Sequence, residues 1–339
     1  MKILDLTNLK LTNKGKKINL DFKIDVPKNL YKYYALNEYS VNGIKNGTIF
    51  FSPNNLLNDV LEGNFEILWG FENFKNNENI LQDFRDRITN GASDYKKDFL
   101  RWRGVFSMSE DFKNELLWIH YTNESGFCLE FDTKKLENYF KTNIGNDHTY
   151  FFPISYNNPV TQIDFNNYIY FDEKKDNQNI DALLPIMYCL AVKENHWEYE
   201  KEWRLLINNQ NFNYVSDVNQ IIDDKTKADE NGKTKGNNLQ IDRTLITKVI
   251  LAPRFFNNNR FNKHEILERG FEVYNFKINE EGNYAKQLLK NIFEHFPNCI
   301  FQIDKVVTTQ NIVGREITTR IEIIDISESY IIIKKIKLK

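Results

Sequence analysis

The sequence has few of the features that mark secreted, zinc-binding or membrane-spanning proteins. Its 339 residues include only three cysteines, Cys128, Cys189 and Cys299, which lie far apart in apolar surroundings. They indicate buried thiols in a reducing compartment and argue against a disulfide framework. A charge follows Met1 immediately, and no window approaches the roughly 18 uncharged apolar residues that a transmembrane helix needs. We expect a soluble cytoplasmic protein with no membrane partner.

Signatures of common nucleotide-binding and catalytic sites are also missing. The chain has no G-x-G-x-x-G, no G-x-x-x-x-G-K-[ST] and no G-x-S-x-G segment, so no Rossmann site, P-loop or nucleophile elbow is indicated. The five histidines are isolated from one another, and no pair has the spacing of zinc ligands. The net charge of −2 and the pI near 6.3 provide no strong overall field for nucleic acid.

What the sequence does contain is typical of a globular α+β protein. Apolar residues make up 41% and charged residues 27%, which allows a sizeable core. We predict a mixed, mainly antiparallel sheet with flanking helices and a C-terminal β meander. The expected organisation is a peripheral segment at residues 1–29, a main domain at 30–298 with a polar insert at 208–243, and a β appendage at 299–339.

Local patterns predict individual elements. Asn37 is a good N-cap for a helix from Glu38 to Lys45, and Asn46-Gly47 tolerates the left-handed conformation at its end. Further helices are expected at residues 64–100, 111–118, 134–141, 181–192, 262–269 and 284–295. Further strands are expected at residues 18–24, 30–34, 48–51, 104–109, 126–132, 149–156, 168–172, 204–207, 248–252 and 271–278.

The densest motif is Trp197-Glu198-Tyr199-Glu200-Lys201-Glu202-Trp203-Arg204. If its last residues enter a strand, Glu200 and Glu202 point to one face. Their repulsion raises at least one pKa unless a cation is near, and Arg204 has the parity to supply that cation. Such a glutamate can polarise a hydroxyl or act as a base. The alternative is a charged strand edge at the surface, anchored in the core by the two tryptophans.

Two other segments carry candidate site residues. His120 and Tyr121 follow Trp118 just past a predicted helix, where the imidazole can donate a proton or bind a substrate; the alternative is a core histidine with its own hydrogen bonds. Ser52 ends a predicted strand, where side chains are placed rigidly. The pair that follows it, Asn58 and Asp59, either lines a pocket or forms an Asx turn.

These segments, in this order, resemble a bacterial family of domains of unknown function. The resemblance covers residues 30–255 and includes Trp118-x-His120-Tyr121 and the run from Lys193 to Arg204. The family usually has Asn-Asp-Pro in the loop, and Val60 replaces that proline here. The family implies no reaction.

A second resemblance is to ADP-ribosyltransferases, which bind NAD through landmarks on three strands. The counterparts here are Lys32 or Tyr34, then Ser52, then the Glu200-Lys201-Glu202 segment. These enzymes usually carry His or Arg on the first strand. The resemblance implies NAD as cofactor and Glu202 as the carboxylate that stabilises an oxocarbenium-like state.

This resemblance assigns a role to each candidate residue and suggests a bacterial toxin or phage-defence effector. The catalytic set is Glu202, Glu200 and His120; the NAD-binding set is Lys32, Tyr34, Ser52, Tyr121 and Arg204; the substrate-binding set is Asn58, Asp59, Trp118 and Trp197. A protein or nucleic-acid target, and an antitoxin or partner subunit, are the partners this role implies.

Two other functions remain open from the residues. One is a non-catalytic module that senses a ligand or binds a partner, with C-terminal strands pairing to another subunit. The other is a metal-dependent nuclease that uses Asp59, Glu62, Glu130, Asp132 and Glu202, because Mg²⁺ needs only one or two carboxylates.

Overall fold

The computed structural model describes most of the chain outside two long segments. The described residues are 1–13, 18–53, 57, 68, 103–146, 148–157, 159–168, 170–171, 180–181, 183–208, 237–267, 270–297, 299–307 and 313–338. The predicted helical region at 64–100, apart from residue 68, and most of the predicted insert at 208–243 therefore lie outside them.

Helices and strands alternate irregularly along the chain. The strands are β1 (Lys2–Asp5), β2 (Leu9–Asn13), β3 (Ile18–Phe22), β4 (Asn29–Tyr34), β5 (Thr48–Pro53), β6 (Arg103–Ser109), β7 (Phe127–Asp132), β8 (Thr149–Pro153), β9 (Ser155–Asn157), β10 (Tyr170–Phe171), β11 (Ile180–Asp181), β12 (Val192–Glu194), β13 (Glu202–Asn208), β14 (Asn237–Gln240), β15 (Ile246–Leu251), β16 (Phe261–Leu267), β17 (Phe271–Phe276), β18 (Ile300–Val307), β19 (Val313–Ile326) and β20 (Tyr330–Lys337). The α-helices are α1 (Glu38–Asn46), α2 (Glu115–Thr122), α3 (Thr133–Ile144), α4 (Phe165–Tyr168), α5 (Leu183–Ala191) and α6 (Glu280–His295), and 3₁₀ helices span Asn195–Glu200 and Arg243–Leu245.

The chain forms two compact units, each built from segments that are distant in sequence. The first comprises Met1–Val26, Phe50–Ser107 and Glu137–Leu239, and the second comprises Pro27–Ile49, Met108–Leu136 and Gln240–Lys339.

In the first unit, small sheets surround an apolar core. Strands β1, β2 and β3 form an antiparallel sheet, β13 pairs antiparallel with β8, and β12 runs parallel to β9. The nearly uncharged helix α5 is buried with them, as its composition predicts. The N-terminal segment, predicted as a peripheral segment at residues 1–29, places four leucines in this core: Leu4, Leu6, Leu9 and Leu11.

In the second unit, one sheet has the strand order β4-β7-β15-β18-β19-β20-β17-β16. Neighbouring strands in this order are antiparallel except β15 and β18, which are parallel. The C-terminal strands β18, β19 and β20 form the predicted meander. Each has a neighbouring strand on both sides, so among the described strands the edge near them is β16 and not the meander.

Helix α1 confirms the prediction from local sequence. The Asn37 side chain accepts a hydrogen bond from the backbone of Ser40, and the Ser40 hydroxyl accepts one in return from the Asn37 backbone, which is a capping box. Gly47 ends the helix with a φ of 65°, where a side chain would be strained.

Other boundaries differ from the predictions. Residues 262–269 were expected to be helical, but β16 pairs with β17 from Phe261 opposite Phe276 onward, because cross-strand packing overrides helix propensity. Residues 168–172 divide into the end of α4 and β10 instead of one strand. Helix α2 begins at Glu115, after the N-cap Asn114, and continues to Thr122, so His120 and Tyr121 lie in its last turn instead of beyond it.

The predicted α+β class with a mainly antiparallel sheet and a C-terminal meander is confirmed. Cys128, Cys189 and Cys299 form no disulfide, and the first two are buried. Among the helices of the described residues, none is long and apolar enough to cross a membrane.

Candidate functional site

A buried cluster of four charged side chains lies in the first unit. We call Lys193, Glu200, Glu202 and Arg204 the charged cluster. The exposed fractions of these side chains are 4%, 6%, 6% and 1%, in that order. The alternative of a charged strand edge at the surface is therefore wrong for these residues, since charged groups are rarely buried unless paired.

Local structure explains how the chain brings these residues together. Lys193 is the middle residue of β12, whose parallel partner β9 places Tyr156 opposite it. The 3₁₀ helix ends at Glu200, and Lys201 turns the chain with a left-handed φ of 43°. Glu202 then begins β13, and Arg204 shares its face by the period of two. The condition for Glu200 and Glu202 to share one face of a strand is not met, because Glu200 reaches the cluster from the 3₁₀ helix.

The cluster is closely hydrogen-bonded. Lys193 Nζ donates to Glu200 Oε2 at 2.8 Å and to Glu202 Oε2 at 3.1 Å. Arg204 donates from Nε to Glu202 Oε1 at 2.7 Å and from Nη2 to Oε2 at 3.1 Å. The predicted pairing of Arg204 with a carboxylate is thus confirmed, and the bidentate geometry is a strong one.

Neutral groups complete the surroundings of Glu202. Its backbone N–H donates to the Tyr156 hydroxyl at 2.8 Å, and the Ser107 side chain hydrogen-bonds to its carboxylate. Arg204 Nη1 donates to the Leu190 carbonyl at 2.8 Å. The cluster therefore ties β12, β13, β9 and the end of α5 to one another.

The charges determine the protonation of Glu202. Burial by itself raises the pKa of this carboxyl, but Arg204 and Lys193 outweigh that effect and hold the pKa well below its ordinary value. The carboxylate therefore stays ionised at physiological pH. Because a carboxylate of such low pKa is a weak base, the geometry favours hydrogen bonding and charge stabilisation over proton transfer.

Next to the cluster, three aromatic rings are partly exposed. We call His196, Trp197 and Tyr199 the aromatic ledge. The ring centroids of Trp197 and Tyr199 are 6.2 Å apart, and those of His196 and Trp197 are 5.0 Å apart. Lys193 Nζ lies 4.8 Å from the centroid of the Trp197 ring, within the range of a cation–π contact. One buried ammonium group thus contacts both carboxylates and the ledge.

Asn8, which lies between β1 and β2, is hydrogen-bonded to the chain at the start of β9. The Asn8 backbone N–H donates to the Ser155 hydroxyl at 3.0 Å, and its side chain donates to the Ile154 carbonyl at 2.8 Å. Because β9 carries Ser155 and pairs with β12, these bonds help to fix the strand that carries Lys193.

The structure gives less information about the other predicted site residues of the first unit. Ser52 lies on β5 opposite Val105 and is half-buried. Asn58 and Asp59, predicted to bind substrate, and Glu62, a predicted metal ligand, lie outside the described residues.

The second unit holds the remaining predicted residues. Trp118 is buried, packs edge-on against Tyr33 at 5.0 Å and donates from its indole N–H to the Phe112 carbonyl at 2.6 Å. Its surroundings are those of a core residue. Tyr34 stacks on Phe127 at 5.3 Å.

Lys32 and Tyr121 are half-buried, and His120 is exposed. Lys32 and His120 belong to the second unit, while Ser52 and Glu202 belong to the first. Their convergence on one cavity stays a prediction.

The carboxylates proposed for a nuclease are partly engaged elsewhere. Glu130 is buried and accepts hydrogen bonds from Tyr31 at 3.0 Å, Thr247 at 2.7 Å and Lys248 at 2.8 Å. Asp132 accepts from the Lys135 backbone at 2.9 Å. In the described part of the chain, no three His, Cys, Asp or Glu side chains form a group that could hold a metal ion.

Sequence reasoning did not assign a role to Lys193 or Tyr156. In the sequence, Lys193 is only the first residue of the family motif, seven residues before Glu200. A lysine within an apolar run, ahead of two clustered glutamates, is the signal that could have identified it. No local sequence pattern identifies Tyr156, because only the parallel pairing of β9 and β12 brings it close to the charged cluster.

Comparison with known proteins gives a partial match. No curated protein and no solved structure matches the chain. Residues 117–205, which include most of α2, all of β12 and the whole charged cluster, match the family model described as "Protein of unknown function (DUF2971)".

Proposed function

We propose that the first unit recognises a small ligand on the aromatic ledge, with the charged cluster as its rigid support. The observation that carries this proposal is the position of Lys193 Nζ, between the carboxylates of Glu200 and Glu202 and the ring of Trp197. This is the non-catalytic alternative that the sequence left open, now assigned to named side chains.

The aromatic ledge is preorganised for binding. A partly exposed indole offers a large contact area with few rotatable bonds, so ordering it on binding costs little. Trp197 also packs against the apolar core of the first unit. The hydrogen-bonded charges next to the ring resist rearrangement. The ledge therefore has its binding conformation before the ligand arrives.

Retention of small molecules is the first test. The chain and its Trp197→Leu variant are dialysed against a small-molecule extract of bacterial cells, and retained compounds are identified by mass spectrometry. We expect at least one compound to be retained by the wild type and to be lost, by about tenfold or more, in the variant, because a central aromatic contact is worth roughly 2 kcal/mol.

The matched control is Phe50→Leu, which shortens another exposed aromatic side chain of the same unit. Retention should be unchanged in this variant. Equal retention by the wild type and Trp197→Leu, or no retained compound at all, would contradict the proposal.

A second candidate function is transfer of ADP-ribose from NAD, as in a toxin or phage-defence effector. The specific observation in its favour is an ionised carboxylate at the first residue of a strand, with Glu200 two residues before it. In this reaction the bond between ribose and nicotinamide breaks, nicotinamide leaves with the electron pair, and an acceptor nucleophile joins the ribose. A charged Glu202 would stabilise the positive sugar between these events. Since Lys193, Arg204 and Ser107 already bond its oxygens, the ribose hydroxyl would have to replace one of them.

The test for this candidate is release of nicotinamide from NAD. If the candidate is right, the wild type releases nicotinamide, Glu202→Gln slows release by about 100-fold or more, and Glu198→Gln, which alters an exposed carboxylate of the same motif, does not. Circular dichroism at the assay temperature shows whether the variants are folded. Absence of release by the wild type, or an equal rate in a folded Glu202→Gln variant, removes this candidate.

A further inference from the structure

We infer that the ligand of the aromatic ledge is a small organic cation, with a flat or alkylated group that carries the positive charge. This inference rests on the proposed function and names the chemical class of its ligand. It depends on the charges around the three rings and on what the indole face already contacts.

Two carboxylates that reach solvent lie in the segment that carries the ledge. Glu194 immediately precedes the 3₁₀ helix and Glu198 lies within it, and both side chains reach solvent. Glu194 Oε2 lies 3.3 Å from His196 Nδ1. With Lys201 as the exposed cation of the same segment, these two carboxylates still leave a net negative charge near the ledge, which attracts cations and repels anions.

The 3₁₀ geometry explains why rings and carboxylates lie side by side. With three residues per turn, residues i and i+3 eclipse one another. Trp197 therefore shares its side of the helix with the buried Glu200, and His196 shares its side with Tyr199. Asn195 and Glu198 take the remaining, outermost side.

The buried charges next to Trp197 are balanced, so they do not repel a second cation at the ring. Lys193 already contacts the indole ring at 4.8 Å, but its charge is matched by Glu200 and Glu202, which also neutralise Arg204. Tryptophan is the strongest cation–π partner among the side chains. A cation on the ledge is thus attracted both by the face of the indole ring and by the nearby carboxylates.

Two probes of the same shape test the charge. N-methylquinolinium is a permanent cation, and quinoline is its neutral counterpart at neutral pH. Binding is followed by fluorine NMR of protein labelled with fluorotryptophan. The Trp197 signal, one of five, is assigned by its loss in Trp197→Phe. We expect the cation to bind about two- to fivefold more tightly than quinoline.

The variant Glu194→Gln/Glu198→Gln should remove most of that preference and leave quinoline binding unchanged. Equal binding of the two probes to the wild type overturns the inference while the ledge remains a binding site. If neither probe shifts the Trp197 signal, both the inference and the proposed function fail.

Discussion

Replacing Lys193 by methionine is expected to lower the free energy of unfolding by about 3 to 5 kcal/mol. The substitution removes the ammonium group that bonds both Glu200 and Glu202. Two buried carboxylates then remain with only Arg204 as a cation in the cluster, and an uncompensated buried charge is costly. Urea denaturation, followed by tryptophan fluorescence, measures the difference.

Lys201→Met is the matched control, because this exposed lysine lies in the same motif between the two glutamates. We expect its effect to stay within about 0.5 kcal/mol. The double variant Lys193→Met/Glu200→Gln should recover part of the lost stability, since it also removes one of the two uncompensated charges. Equal stability of Lys193→Met and Lys201→Met would mean that the charged cluster does not stabilise the first unit.

Replacing Gly126 by alanine is expected to destabilise the second unit by about 3 kcal/mol or more. A Cβ atom at this position would lie 2.0 Å from the Tyr34 carbonyl oxygen and 3.1 Å from Thr122 Cβ. The nearer atom belongs to the backbone of β4, which pairs with β7 along its length, so it cannot move aside without loss of strand pairing. Thermal denaturation, monitored by circular dichroism, gives the change.

Gly314→Ala provides the control for this substitution. No atom lies within 4 Å of a Cβ built at Gly314, which is in the same unit. We therefore expect a change within about 0.5 kcal/mol. If Gly126→Ala and Gly314→Ala have the same melting temperature, β4 and β7 are not packed as closely as described.

Helices and strands that are determined by residues adjacent in sequence could be predicted from sequence. The capping residue Asn37 and the terminal Gly47 lie next to α1, and they define its ends without help from the rest of the fold. The strand β16 could not be predicted in this way. Its residues include good helix formers, and only the neighbouring strand β17 makes the extended form the stable one.

The same distinction applies to the site. Glu202 and Arg204 are two residues apart on one strand, so their shared face follows from the period of two. Lys193 and Tyr156 join them through the pairing of β12 with β9, which no local pattern contains. Glu200 joins them only because Lys201 adopts a left-handed turn, which is uncommon for a lysine.

The interior position of β20 has a consequence for folding during synthesis. Strands β16 and β17 are made long before β20, yet β20 is the strand that joins them to β19. The sheet of the second unit cannot be completed until residues 330–337 have left the ribosome. Until then β17 has an unpaired side, and a nascent chain with such an edge is prone to aggregate.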